Sequence, residues 1–167
     1  MADRGSFDEF YAGAVSRLVG QLFPVTGDLH EAEEVVQEAF TRAAARWSRL
    51  RDYDVPEAWV RRVAMNLVTD RARTLRRHTK AMLKLRPPPE ALTASVEALA
   101  LAQALRTLPV RQRQVLVLHY LVDLPVEEVA HTLGMPNGTV KSLLSRGRHA
   151  LAAKLAGRAG DGLICTS

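Results

Sequence analysis

The chain has 167 residues, of which 47% are hydrophobic and 25% charged, the balance of a folded protein with room for one ordinary domain or two small ones. Aromatic residues make up only 5%, so the interior must be built from Leu, Val and Ala, which favours helices. No run approaches the roughly 18 apolar residues of a membrane-crossing helix. Met1–Phe7 shows no charged-then-apolar leader, and the lone Cys165 can form neither an internal disulfide nor a Cys-x-x-Cys site. A reducing, cytoplasmic location without membrane insertion is expected.

The net charge of +5 is unevenly placed. Residues 1–58 carry six basic and eleven acidic residues, residues 59–86 nine and one, residues 87–136 three and five, and residues 137–167 five and one. The chain therefore alternates acid, base, acid, base. Two basic segments, each preceded by an acidic one, point to two polyanion contacts and at least one further partner.

Periodicity predicts six or seven helices and no strand. The first spans about 6–22 and ends near Pro24 and Gly27. The second starts at Asp28, whose carboxylate can cap free backbone N–H groups, with Glu31 completing a capping-box pattern. Ala32, Val35, Val36, Ala39, Phe40, Ala43 and Trp47 form its apolar stripe, and Glu34, Gln37, Glu38 and Thr41 lie opposite. Pro56 opens a third helix from its first turn, running to about Arg77.

Arg86-Pro87-Pro88-Pro89 cannot be helix interior and marks a semi-rigid spacer. This gives an N-terminal helical domain at 1–79, a linker at 80–94, a C-terminal domain at 95–156 and a loose tail at 157–167. A fourth helix covers about 95–107, a fifth follows Pro109 to Val122, a sixth begins at Pro125, and the last spans about 137–156. The expected fold is all-α, with two small helical domains joined by a Pro-containing linker.

Within Pro125–Lys141, a short helix, a tight turn at Gly134 and a longer basic helix make a helix-turn-helix. Val140, Leu143, Leu144, Gly147, Leu151 and Leu155 share the buried face of the last helix at 100° per residue. Lys141, Ser142, Ser145, Arg146 and His149 point away, with the length and chemistry to reach base edges and phosphates in a major groove. Gly147 lets another helix approach closely.

The third helix carries a core stripe of Val60, Val63, Ala64, Leu67 and Leu75. On its far side lie Arg62, Asn66, Thr69 and Arg73, flanked by Arg76 and Arg77, with Trp59 on the same polar face. An indole beside arginines and an asparagine is a stacking platform for unpaired bases; core packing is the alternative role for Trp59. The five histidines lack metal-ligand spacing, and no phosphate loop or nucleophile motif appears. No catalytic residue, metal or cofactor is expected. His119, amid Val115–Tyr120, reads as a partly buried structural histidine.

Taken in order, Glu31–Phe40, Glu57–Leu67, Leu108–Arg113 and Gly138–Ser142 resemble bacterial RNA polymerase sigma factors, and the two-domain layout is similar to the extracytoplasmic-function (ECF) group. The resemblance covers about residues 6–156. It implies a promoter-specificity subunit that is not an enzyme. Glu34, Gln37 and Glu38 would dock on the β′ clamp helices of core polymerase, and the β flap would be a second contact.

By the same resemblance, Trp59 would sit at the upstream edge of the melted minus-ten element. Asn66 would help hold a flipped-out base, and Arg62, Thr69, Arg73, Arg76 and Arg77 would complete that contact. Asn137, Thr139, Lys141, Ser142, Ser145 and Arg146 would read the minus-thirty-five element as duplex. The linker would thread toward the polymerase active-site and RNA-exit region. An anti-sigma factor would be a further partner, covering the acidic helix or wedging between the domains.

Where the family often caps the recognition helix with Ser or Thr, this chain has Met135-Pro136-Asn137-Gly138, so Asn137 is the candidate cap. A conventional helix-turn-helix regulator binding duplex operators as a dimer is the alternative function. A metal-dependent nuclease built on the second-helix carboxylates is another.

Overall fold

The structure, a computed structural model, describes residues 5–78 and 95–161. The expected linker at 80–94 and the tail segment with Cys165 lie outside these residues. Among the described residues every regular element is helical: α1 (Phe7–Thr26), α2 (Leu29–Ala45), α3 (Trp47–Leu50), α4 (Pro56–His78), α5 (Val96–Arg106), α6 (Val110–Leu116), α7 (Val126–Leu133) and α8 (Asn137–Asp161).

Helix α1 starts at a serine cap, where Ser6 Oγ accepts from the Glu9 N–H at 3.3 Å. It runs four residues beyond the expected end, carrying Pro24 inside it and stopping at Gly27 with φ of 71°. The carbonyl that Pro24 leaves without a helical donor belongs to Gly20, which is exposed and open to hydration. Gly27 supplies the left-handed residue that closes the helix, its N–H donating to Phe23 O at 2.8 Å.

Asp28 caps α2 as expected, its Oδ1 accepting from the Glu31 N–H at 3.0 Å. The reciprocal half of the box is replaced: the Asp28 N–H donates to Thr26 Oγ1 at 3.3 Å. Glu31 is thereby left to face the interior. Ala32, Val35, Val36, Ala39, Phe40 and Ala43 are all buried. Trp47 belongs to α3 and not to the stripe of α2, and its ring stacks on Phe10 at 5.0 Å between centroids.

Helix α4 opens at Pro56 as expected. Its buried face holds Val60, Ala64 and Leu67, but also Met65, Val68 and Thr69. Leu75 is 59% exposed and leaves the predicted core stripe, lying at the rim of a pocket with Arg106 and Arg113. Ser95 caps α5, accepting from the Ala98 N–H at 3.2 Å.

Helix α6 does not continue evenly to Val122. It widens into a π turn over Val117–Leu121, closed by the Val122 N–H donating to Val117 O at 3.0 Å. Asp123 then takes a left-handed conformation with φ of 63°, which turns the chain toward Pro125. His119 is structural, its Nδ1–H donating to Leu124 O at 2.8 Å.

The helix-turn-helix is formed by α7 and α8 with Gly134 at φ of 63° between them. Pro136 O accepts from the Thr139 and Val140 N–H groups at 3.0 and 3.2 Å, so Pro136 stands at the cap position and Asn137 is the first helical residue. Helix α8 reaches Asp161, five residues past the expected end, so part of the predicted tail is helical. Val140, Leu144 and Gly147 are buried, Leu143 and Leu151 half-buried, and Leu155 exposed.

One apolar core runs through both halves of the chain. Helix α1 packs on α2 and α4 on one side and on α5, α6 and the π turn on the other, while α4 also meets α6 and α7. The mutual orientation of the halves, which the sequence leaves open, is therefore closed. The role expected of Gly147 is met: a Cβ there would lie 3.0 Å from Leu116 Cδ1. Gly147→Leu is expected to overpack this contact and destabilise the fold by about 1–3 kcal/mol, readable by urea denaturation.

Candidate nucleic-acid interface

The two basic segments become two exposed helix faces. On α4, Arg62, Asn66, Arg73, Arg76 and Arg77 are exposed, displayed on the turns opposite the buried Val60, Ala64 and Val68. Trp59 is half-buried, packed against the core, with the Arg46 guanidinium 5.9 Å from its ring centre. Half-burial supports the packing role weighed for it and leaves part of the residue accessible.

Thr69 departs from the expectation of an outward-facing side chain. It is buried, its Oγ1 donating to Met65 O at 3.1 Å and accepting from Gln114 Nε2 at 3.0 Å. The reason is that α6 packs over this turn of α4.

Arg61 and Arg62 are neighbours in sequence with opposite fates. Arg61 is buried, its Nε donating to Gln21 Oε1 at 2.9 Å and its Nη2 to Glu57 Oε1 at 3.3 Å. Arg17 reaches the same carboxylate from α1, with Nε donating to Glu57 Oε1 at 3.0 Å. Arg61 is thus part of the scaffold, and Arg62 stays exposed on the outer face.

On α8, Asn137, Thr139, Lys141, Ser142 and Arg146 are exposed and Ser145 is half-buried. The first three turns present a face of hydroxyl, amide and cationic donors, held by the burial of Val140, Leu144 and Gly147 behind it. His149 is tied back, its Nδ1–H donating to Ser145 O at 2.6 Å.

The acidic face of α2 is exposed but not unpartnered. Glu34 lies 3.3 Å from His30 Nε2 and 3.2 Å from Arg71 Nη1. Glu38 accepts from Arg42 at 2.8 Å and lies 3.5 Å from Arg71 Nη2. The Gln37 amide donates to the Tyr11 hydroxyl. These pairs are partly exposed, so each contributes little to stability and can be exchanged for a partner's charges. Among the described residues no cluster of His, Cys, Asp or Glu is arranged to hold a metal ion, and no helix is long and apolar enough to cross a membrane.

Sequence reasoning missed Gln114, Arg113 and Arg106. Gln114 is fully buried, its Nε2 donating to Met65 O at 2.9 Å as well as to Thr69. Arg113 Nη1 donates to Val25 O at 2.8 Å, and Arg106 Nη1 lies 3.5 Å from Gly27 O. The readable signal was Gln114 itself, which occupies an apolar-stripe position four residues after Val110 and three before Val117.

An all-helical chain with an acidic helix, a basic helix and a helix-turn-helix, each with its charged face outward, has the architecture of a DNA-binding protein of transcription. Family profiles agree: sigma-70 region 2 matches residues 10–78, and sigma-70 region 4 matches residues 98–151. The RNA polymerase sigma-E factor of Streptomyces coelicolor is 31% identical over 154 residues, covering 91% of this chain and 87% of that one. The ECF RNA polymerase sigma factor SigW of Bacillus subtilis is 30% identical over 152 residues, with 80% of each chain covered.

Among solved structures, the sigma factor RpoE of Bartonella quintana, crystallised with the anti-sigma factor NepR, shares the fold. Its TM-score is 0.73 at 21% identity, covering 90% of this chain and 96% of that one. The chain belongs to the ECF RNA polymerase sigma factors, proteins of transcription initiation.

The anchor beneath the basic face of α4 is titratable. The hydrogen bond from Arg17, with both Arg17 and Arg61 as neighbouring charges, outweighs burial and holds the Glu57 carboxyl below its ordinary range. A lowered folded pKa means this contribution is complete above the unfolded value, about 4.3, and is lost as pH falls from there through the folded value. Glu57→Gln is therefore expected to flatten the acid limb of a stability-against-pH curve below about pH 4.5. Between about pH 6 and 8 the slope is expected to stay unchanged.

Proposed function

We propose that this chain directs core RNA polymerase to promoters by reading two DNA elements with two faces, melted minus-ten DNA with α4 and duplex minus-thirty-five DNA with α8. The observation that carries this reading is the exposure of both faces, each within the region matched by its own family profile. Residues 1–79 and 95–156 act as separate promoter-reading units on either side of the 80–94 linker. The work is done in the cytoplasm, with no catalysis of the chain's own.

On α4, the accessible part of Trp59 stacks at the upstream boundary of the melted segment. Asn66 holds an extruded base, and Arg62, Arg73, Arg76 and Arg77 contact backbone phosphates. Extruding a base costs a few kcal/mol, which stacking worth about 1–3 kcal/mol per base can largely offset. On α8, Thr139, Lys141, Ser142 and Arg146 face the major groove, with Asn137 and Ser145 at the edge of the contact.

Polymerase meets Glu34, Gln37 and Glu38 through the β′ clamp helices, exchanging the pairs with Arg71, Arg42 and Tyr11. The β flap suits an apolar groove between α5, α6 and α8, lined by Leu101, Leu105, Leu116, Tyr120, Leu121 and Leu155. Tethering both units to polymerase raises their effective concentration and makes promoter choice cooperative. An anti-sigma factor is a further partner, consistent with the complex in which the Bartonella relative was crystallised. An operator-binding dimer would leave the acidic face of α2 and the basic face of α4 without a role.

Run-off transcription on a genomic-fragment pool tests the reading. Promoter-specific transcripts are expected only when the chain is added to core polymerase; no binding and no gain in specificity would discard it. Glu34→Lys with Glu38→Lys is expected to weaken polymerase binding at least ~10-fold by placing like charge against the partner. Trp59→Ala is expected to reduce promoter opening more than closed-complex formation, by about one base's stacking; equal losses would assign it to packing alone. Lys141→Ala and Arg146→Ala are each expected to weaken minus-thirty-five binding and to lower its salt slope by about 1.

A further inference from the structure

Arg46 lies in the first, net acidic segment of the chain and has no task in the reading above. Its guanidinium nevertheless stands over the ring of Trp59, 5.9 Å from the centre. That is inside the separation, about 6 Å, at which a cation and an aromatic face attract.

The backbone that carries Arg46 is held from both sides. Its N–H donates to Ala43 O at 3.0 Å, closing α2, and its carbonyl accepts from the Arg49 and Leu50 N–H groups at 3.0 Å each, opening α3. The next residue, Trp47, stacks on Phe10 with ring centres 5.0 Å apart and meets Phe7 edge-on at 5.6 Å. Leu50, on the following turn, is buried. The junction therefore fixes where the Arg46 side chain starts, and only its own rotamers remain free.

Arg42, four residues earlier, is taken by Glu38 at 2.8 Å. Arg46 is exposed, and among the described residues no carboxylate forms an ion pair with it. Its charge is thus left for the electron-rich face of the indole.

Trp59 lies in the first turn of α4 and is half-buried against the core. A tryptophan ring turns about two side-chain torsions. Core contact restrains them, and the cation over the ring limits the tilt that remains. A stacking surface whose tilt is set before a base arrives loses less freedom on binding.

We propose that Arg46 is a positioning residue for promoter opening, its guanidinium holding the Trp59 indole in the orientation that receives an unpaired base. It acts through Trp59 and not through a phosphate contact of its own. The contact stands on its geometry; its consequence for opening rests on the stacking role proposed for Trp59.

The test joins a probe of the ring to a double-mutant cycle, both on the full chain. Labelling with 5-fluorotryptophan gives a fluorine resonance for each of the two tryptophans, and that of Trp59 is assigned by its loss in Trp59→Phe. Arg46→Gln is expected to shift the Trp59 resonance. Arg49→Gln, the same loss of charge at an exposed position of α3, is expected to leave it in place.

Opening is then followed with core polymerase on a promoter recovered by the run-off experiment, carrying 2-aminopurine in the melted segment. Arg46→Gln is expected to slow opening about two- to fivefold, with closed-complex affinity changed no more than by Arg49→Gln. Arg46→Lys is expected to restore part of the rate. In a Trp59→Ala background, Arg46→Gln is expected to have no further effect. Arg46→Met, which keeps the stem without the charge, repeats the cycle should Arg46→Gln lose helix content by circular dichroism.

A Trp59 resonance unmoved by Arg46→Gln would overturn the contact. Equal slowing with and without Trp59 would make Arg46 an independent phosphate contact and overturn its positioning role. Opening unchanged by Trp59→Ala, with the resonance still moved by Arg46→Gln, would discard the stacking role of Trp59 and the function assigned to Arg46 with it. The sigma-factor reading as a whole fails separately, on absence of polymerase binding.

Discussion

The packing of α1 is the constraint on which the rest of the molecule depends. Ala14, Leu18, Leu22 and Val25 are all buried, and this single helix is covered by α2 and α4 on one side and by α5 and α6 on the other. Two small helical units of about seventy residues each bury a modest fraction of their surface alone. Sharing α1 gives both a larger apolar interior. The extension of α1 through Pro24 to Gly27 matters here, because it brings Val25 O and Gly27 O to the place where Arg113 and Arg106 can meet them.

The parts of the fold that follow from local periodicity were legible in the sequence. The stripe from Ala32 to Ala43, the cap at Asp28, the start at Pro56 and the Gly134 turn all stand where spacing places them. What was not legible depends on tertiary contact. Pro24 reads as a stop signal, yet its unsatisfied partner is an exposed glycine carbonyl, so helix continuation costs less there. Leu75 has the spacing of a core residue, but it lies at the rim of a pocket shared with Arg106 and Arg113 and is mostly exposed. Thr69 lies in register with Arg62, Asn66 and Arg73, and only the arrival of Gln114 from α6 turns that position inward. The exposure of Arg62, Asn66, Arg73, Arg76 and Arg77 was legible from helical spacing, whereas the burial of Arg61 was not.

The alternation of charge along the chain has two origins that composition cannot separate. Part of it is internal: Arg71 of α4 bridges Glu34 and Glu38 of α2. Glu31, whose burial raises its pKa against the pull of Arg71, Arg113 and Arg106, sits where acid and base from both halves converge. The remainder faces outward. An acidic segment followed by a basic one is therefore first an arrangement for packing two helices together, and the residues left over define surfaces for partners.

Burial sorts the arginines of α4 by function. Arg61, with its side chain only 11% exposed, is fixed by Gln21 and Glu57, and removing one member of such a buried set leaves the others uncompensated. Arg71, 36% exposed between two half-exposed carboxylates, belongs to the class of pairs worth about 0–1 kcal/mol, so a competing surface can displace it cheaply. Arg62, Arg73, Arg76 and Arg77 are exposed outright, with guanidinium groups open to water. One helix therefore holds a structural cation, an exchangeable one and four available ones. Packing depth separates these classes where residue identity alone could not, since the chain spells all of them Arg.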